Sequence, residues 1–285
     1  MEINKLSKDI MVKKILLTAA LCLPALALPA QDDDYENDFG TWWELGAKKE
    51  LTKQWSVSVD GELRTSDMNK EVDRLGLGIG ANYKVNKYLK VGAGYTLLGG
   101  HKLEKTKIKE EYDILTGVLE ERRVRFTPGY WNNRHRFYVD ITPDIKLGKA
   151  WHLSLRERYQ YTFTPLGHHT RDTRYYEMTG SGLELDREVL GERITDERVN
   201  KHVLRSRIKL EYDEKKMDWK PFVSVEAQNN LANHMHLRKL RTAVGTEYKI
   251  SKHHSAGLAY VFTRSNEGGD KELFHALNIS YNFKF

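Results

Sequence analysis

Residues 55–64 read Trp55-Ser56-Val57-Ser58-Val59-Asp60-Gly61-Glu62-Leu63-Arg64, and residues 75–85 read Leu75-Gly76-Leu77-Gly78-Ile79-Gly80-Ala81-Asn82-Tyr83-Lys84-Val85. In both, apolar side chains take alternate positions, and polar residues or glycine take the others. Successive side chains of a β-strand point to opposite faces, so each stretch builds a sheet with one apolar and one polar surface. The segments run to about ten residues, the length with which a tilted strand crosses a bilayer.

The pattern recurs at Phe39–Ala47, Leu89–Leu97, Phe137–Ile141, Trp151–Phe163, Leu204–Tyr212, Trp219–Ala227, Leu240–Tyr248, Ala256–Phe262 and Leu277–Phe285. Short turns are expected near Thr52-Lys53, Asn86-Lys87, Gly148-Lys149, Lys215-Lys216 and Lys252-His253. Longer loops are expected at residues 65–73, 99–132, 164–200, 229–237 and 265–271. Short turns at one end and long loops at the other are the pattern of a transmembrane, antiparallel, up-and-down β-barrel, here of about 10 to 12 strands. A soluble periplasmic barrel is the alternative fold.

The mean hydropathy of −0.64 and the 30% of charged residues are compatible with such a barrel, whose strands average polar and apolar faces. Downstream of Ala30, charges interrupt every run long enough for a spanning helix. At the N-terminus, Lys13 and Lys14 precede an apolar run from Ile15 to Leu28, followed by small residues and Asp32-Asp33-Asp34, the order of a secretory signal. The expected division is a signal peptide over 1–30, cleaved after Ala30 or Ala27, an acidic segment over 31–38 and an outer-membrane barrel over 39–285. Cys22, the one cysteine, falls in the signal and leaves no disulfide in the exported chain. The remaining positive balance is too mild to argue for nucleic acid as a partner.

Trp55, Trp151 and Trp219 each open a strand just after a short turn, the position of an aromatic girdle at a membrane interface. Tyr161, Phe163, Tyr260 and Phe262 are candidates for the opposite girdle. The chain closes on Tyr281, Phe283 and Phe285 in alternation, which resembles the C-terminal signal read by the barrel assembly machinery. Together with Phe39-Gly-Thr-Trp-Trp-Glu44, Glu62-Leu-Arg64, Arg156-Glu-Arg158-Tyr159 and Pro221-Phe222 followed by Glu226, these features resemble an uncharacterised Gram-negative outer-membrane β-barrel family, domain of unknown function 2490. The resemblance implies a fold and a location, and carries no activity.

If odd-numbered residues face lipid, the inward set is strongly charged. Arg134 and Arg136, Arg156 and Arg158, and Arg205 and Arg207, on three successive strands, are read as an arginine wall, with Asp60, Glu62, Glu211, Glu226 and Glu247 as its inward counter-charges. Salt-bridged side chains filling a narrow lumen are one reading, and a site or pore for a small anionic ligand is the other. Gly76, Gly78 and Gly80 alternate within a strand, so they mark a bare patch of lumen wall that serves tight curvature or the approach of a plug or ligand; a turn on Asn86 would set Gly78 opposite Gly94 and Gly80 opposite Gly92. Glu157 falls on the lipid-facing parity, which calls for a bulge or for a strand already leaving the membrane.

His152 and Ser154 resemble the His-x-Ser pair of outer-membrane phospholipases, but their inward parity and the residues that follow, Leu155 and Arg156, depart from that family. Lipid hydrolysis is therefore a remote alternative. His168, His169, His234 and His236 read as loop histidines, and neither a metal nor a cofactor is expected. The functional expectation is a non-enzymatic, monomeric outer-membrane barrel in contact with lipid, acting as a narrow pore or transport element, or else as a surface-exposed structural or binding barrel. One conflict remains: with eleven strands and a periplasmic C-terminus, Phe39 starts at the outer end. The expectation that resolves it is that residues 31–38 climb through the lumen, against a miscounted strand or a free periplasmic tail.

Overall fold

The computed structural model of the chain describes residues 36–267 and 270–285. The expected signal, its cleavage positions and Cys22 lie outside the described residues. The strands are β1 (Glu36–Glu50), β2 (Trp55–Ser66), β3 (Glu71–Lys84), β4 (Leu89–Lys102), β5 (Lys105–Tyr112), β6 (Leu119–Thr127), β7 (Tyr130–Leu147), β8 (Trp151–Thr164), β9 (Gly167–Thr179), β10 (Gly182–Asp196), β11 (Val199–Tyr212), β12 (Trp219–Asn230), β13 (His236–Lys249), β14 (His254–Glu267) and β15 (Asp270–Lys284). Eleven of them close into a barrel in the order β1-β15-β14-β13-β12-β11-β8-β7-β4-β3-β2. All eleven sequence-predicted segments are barrel strands, and all five short turns fall between them.

The loops expected at 99–132 and 164–200 are a correction. They hold β5, β6, β9 and β10, which pair as a four-stranded sheet in the order β10-β9-β6-β5. This sheet belongs to a second compact unit, Gly99–Arg134 with Phe163–Asn200. The other three expected loops shrink because the strands run on past the apolar band. The β2–β3 connection turns on Asp67, Met68 and Asn69, all left-handed at φ 47, 54 and 69.

Closure of an odd number of strands requires one parallel seam. It joins β1 to β15 from Glu36↔Glu272 to Lys48↔Lys284, while β1 meets β2 antiparallel, with Trp42 opposite Arg64. The strand count was therefore not in error, and the chain does enter the wall at the end opposite its C-terminus. Residues 36–38, expected in the lumen, are instead wall strand. The Asp38 carboxylate accepts the backbone N–H groups of Asp67 and Met68 at 3.1 and 3.3 Å, satisfying donors that the left-handed turn leaves over. The rest of the proposed climbing segment lies outside the described residues.

Facing follows the apolar parity of each strand rather than residue number. Odd positions face outward on β2, β3, β7, β8 and β12, where Leu77, Ile79, Val139 and Trp219 are more than half exposed or nearly so. The parity reverses on β11, β13 and β14, where Ile208, Tyr248 and Leu258 are outward, because the intervening connections contain different numbers of residues. That reversal is why Arg205 and Arg207, although odd-numbered, turn inward. Near the seam the lumen is apolar: Trp42, Val261 and Ala276 form a buried cluster with Ala243 and Phe274 against it.

Candidate functional site

The arginine wall converges on Glu226. In register it lies between Arg207 of β11 and Arg241 of β13, and it is only 4% exposed. Arg205 donates to Glu226 Oε1 from Nη2 at 2.7 Å and from Nε at 3.1 Å, and Arg156 donates to Oε2 at 2.7 Å. Arg241 Nη1 stands 3.8 Å from Oε1, and Gln228 adds an amide donor at 2.9 Å. Arg205 is held from its other side by Gln160, whose Oε1 accepts from Nη1 at 3.1 Å. A charge-assisted, two-point guanidinium–carboxylate contact of this kind fixes both partners in orientation as well as in charge.

Two smaller groups flank it. Glu62 accepts from Arg64 Nη2 at 2.8 Å and also feels the charges of Arg74 and Arg136. The Arg64 guanidinium lies 4.1 Å over the Trp42 ring and that of Arg241 lies 4.7 Å from it, so one tryptophan links the two carboxylate groups by cation–π contact. Asp140 accepts from Arg158 Nε at 3.0 Å and Nη2 at 2.5 Å, and Arg158 stacks 3.8 Å over Tyr138.

The glycine patch takes Tyr138. A Cβ on Gly80 would stand 2.9 Å from the Tyr138 hydroxyl, and one on Gly94 would stand 2.4 Å from the same ring. The turn closes on the Val85 N–H and the Leu89 carbonyl. A Cβ on Gly78 accordingly meets Thr96, and one on Gly94 meets the Ile79 carbonyl. The expected Gly78–Gly94 and Gly80–Gly92 pairs are thus displaced, and the space expected for a plug or ligand holds a side chain of the barrel itself.

Asp60 and Glu247 do not join the arginines. They line a cavity of about 540 Å³ at the end where β15 terminates, together with Lys48, Lys220, Lys249, Lys252 and Lys284. Asp60 accepts the Ser58 hydroxyl at 3.2 Å, and Glu247 accepts that of Ser255 at 2.6 Å. Glu211 is bonded to Lys209 of its own strand. Arg134 belongs to the second unit, where its guanidinium occupies the space beside Gly100.

On the outer surface each predicted girdle tryptophan meets a tyrosine of a neighbouring strand: Trp55 with Tyr83 at 4.9 Å, Trp151 with Tyr212 at 5.0 Å and Trp219 with Tyr248 at 4.5 Å between ring centroids. Toward the other end the pattern changes to tyrosine–histidine pairs that sequence reading missed. Tyr95, Tyr159 and Tyr260 hydrogen-bond Nδ1 of His135, His202 and His275 at 2.7, 2.8 and 2.5 Å. Of the residues proposed for that girdle, Tyr161 lies 5.0 Å from His202, Tyr260 is in the His275 pair and Phe262 packs beside that histidine at 5.2 Å. Phe163 lies in the second unit. At the chain's end Phe283 meets Phe285 edge-on at 4.3 Å, Tyr281 bonds His254, and the Phe285 N–H donates to the Lys48 carbonyl across the seam.

Glu157 stays on the outer face and accepts the Ser206 hydroxyl at 2.6 Å. Arg156 and Arg158 point inward on either side of it, so alternation runs through these three residues. His152 faces Asp144 at 3.3 Å, and no hydrogen bond joins it to Ser154. His168 contacts Thr195, and His169 lies 3.5 Å from Asp196. Among the described residues no three His, Cys, Asp or Glu side chains are gathered to hold a metal ion.

A closed wall, an outward apolar surface and guanidiniums on the inner face define an all-β barrel with a charged interior. The chain belongs to the family described as Protein of unknown function (DUF2490), whose model matches residues 39–273. No curated protein matches it. Among solved structures it is similar to the CymD monoaromatic hydrocarbon channel, with 11% identity and a TM-score of 0.30 over 80% of this chain and 83% of that one.

Proposed function

We propose that this is an outer-membrane transport element, exported by its N-terminal signal and inserted as a monomer, whose narrow lumen favours small anions. It works without chemical catalysis. The carrying observation is the imbalance of charge inside the barrel. Arg64, Arg74, Arg136, Arg156, Arg158, Arg205, Arg207 and Arg241 share the interior with Glu44, Asp60, Glu62, Asp140 and Glu226, and the cavity at one end sets five lysines against Asp60 and Glu247. Fixed positive charge in a low-dielectric passage raises the local concentration of anions and excludes cations.

Planar-bilayer recording of the wild type and Arg156→Ala tests this. Anion-selective current is expected, with selectivity reduced in the variant because Glu226 then loses one of its cations. Absence of current in both would overturn the passage and favour a non-conducting structural or binding barrel. The apolar filling by Trp42, Phe274 and Val261 is the observation that speaks for that second reading.

A further inference from the structure

Arg136 and Arg207 differ from their neighbours. Arg64, Arg156, Arg158, Arg205 and Arg241 each hold a carboxylate of the lumen within 4 Å, whereas neither Arg136 nor Arg207 has an ion pair or hydrogen bond to another described residue. The Nε of both is shielded from solvent and has no acceptor. The largest charges acting on Arg136 include the cations Arg74, Arg205 and Arg64, with Glu62 opposing them. Arg207 feels Arg205 and Arg158 against Glu226 and Asp140, both carboxylates already bonded to other arginines. Arg205 acts on both residues and joins them electrostatically.

A buried guanidinium with no counter-charge is strongly unfavourable, and five fixed N–H donors per group must be met by acceptors. The carboxylates that touch these arginines, those of Glu62, Asp140 and Glu226, are spent on Arg64, Arg156, Arg158 and Arg205. A planar guanidinium fork matches an oxygen pair of a phosphate or carboxylate, which a spherical halide cannot offer. Several like charges acting on one another also favour a ligand carrying more than one negative charge.

We infer that Arg136, Arg205 and Arg207 form a binding site for a multiply charged oxyanion, for which inorganic phosphate is the simplest probe. This rests on the anion-favouring reading of the lumen and adds to it a saturable resting site. Bound phosphate neutralises the cluster and holds the three guanidiniums together across the interior. Arg205 is shared between this site and Glu226, so occupancy is coupled to the packing of the Glu226 group.

The test is titration of the purified, detergent-folded barrel with sodium phosphate, followed by phosphorus NMR and thermal unfolding, with sodium chloride at equal ionic strength as control. Saturable binding of one phosphate per barrel and a rise in unfolding temperature that chloride does not reproduce are expected. Arg136→Gln and Arg207→Gln should weaken binding at least tenfold. Both should keep the heat-modifiable migration of a folded barrel, because each removes a charge that lacks a partner. Arg136→Lys, which keeps the charge and loses the fork, should also weaken phosphate binding, and it serves if the glutamine variant fails to fold. An equal response to chloride, or wild-type affinity in the folded variants, would overturn the site. Anion current without phosphate binding would reject the site and keep the passage; phosphate binding without current would keep the site and reject the passage.

Discussion

Glu226 and Arg205 are joined by two hydrogen bonds to one carboxylate oxygen, while the second oxygen is taken by Arg156 from another strand. One acidic residue therefore ties β8, β11 and β12 together inside the barrel. Breaking a buried ion pair by removing one partner typically costs about 3–5 kcal/mol, because the other charge is left uncompensated. Glu226→Gln is expected to lower stability by about 3 kcal/mol in urea unfolding and to increase anion selectivity in bilayers. Unchanged stability would show that water compensates the arginines.

The contact between Gly80 and Tyr138 predicts a mild, rescuable defect. A methyl group at position 80 meets the ends of the Tyr138 and Ser58 side chains rather than backbone, so Gly80→Ala should cost about 1 kcal/mol, at the low end for overpacking. Adding Tyr138→Phe removes the nearest atom and should recover most of the loss. Additive losses in the double variant would contradict this geometry.

The parallel seam is testable by cross-linking. Trp43 and Ile279 are register partners across β1 and β15. With Cys22→Ser, cysteines at 43 and 279 should be joined by a short bifunctional maleimide in the folded barrel, giving a closed species of altered mobility in denaturing gels. A cysteine moved from 279 to 273 should react poorly. Equal yields from both would mean that β1 does not hold this register.

Fluorescence should separate the outward from the inward tryptophans. A variant retaining only Trp219 should be strongly quenched by lipid brominated near the headgroup, since Trp219 is 52% exposed on the outer wall. A variant retaining only Trp42 should escape that quenching, because its ring lies in the lumen between Arg64 and Arg241.

The β5–β6 hairpin carries a pH dependence of known sign. The backbone N–H groups of Thr116 and Leu115 donate to the Asp113 carboxylate at 2.8 and 2.7 Å and hold its pKa below the ordinary aspartate value. A depressed pKa stabilises the fold above the unfolded value, near 3.8, and that contribution is lost as pH falls through the folded value. Protection of the Leu115 and Thr116 amides, taken relative to the intrinsic exchange rate at each pH, should fall in acid, and Asp113→Ala should show the low protection already at neutral pH.

The sequence made the barrel strands legible because one face of each is apolar and the other polar, and that division imposes strict alternation on segments such as Trp55–Arg64. Strands β5, β6, β9 and β10 were opaque for the converse reason. Lys105, Thr106, Lys107, Ile108 and Lys109 are all exposed, so no buried face writes a period into the sequence. Within the lumen, Arg156, Arg205 and Glu226 could be read from parity, whereas Asp140, Arg241 and Trp42 were overlooked although they share the inward parity of recognised neighbours. Their partners come from distant strands, and no local spacing encodes the pairing.

An eleven-strand wall also fixes what can be rearranged. In a barrel with an even number of strands the two ends of the wall are neighbours on the same side, and a few residues suffice to splice them. Here β1 and β15 run side by side in the same direction, with Lys284 level with Lys48, so Glu36 and Lys284 lie nearly a full strand length apart, roughly 40 Å at ~3.3 Å per residue. A circular permutant would need a linker that runs the height of the wall, and the interior it would have to thread is crowded with guanidiniums. The gene order of this barrel is thus locked to its seam in a way that hairpin-built barrels escape.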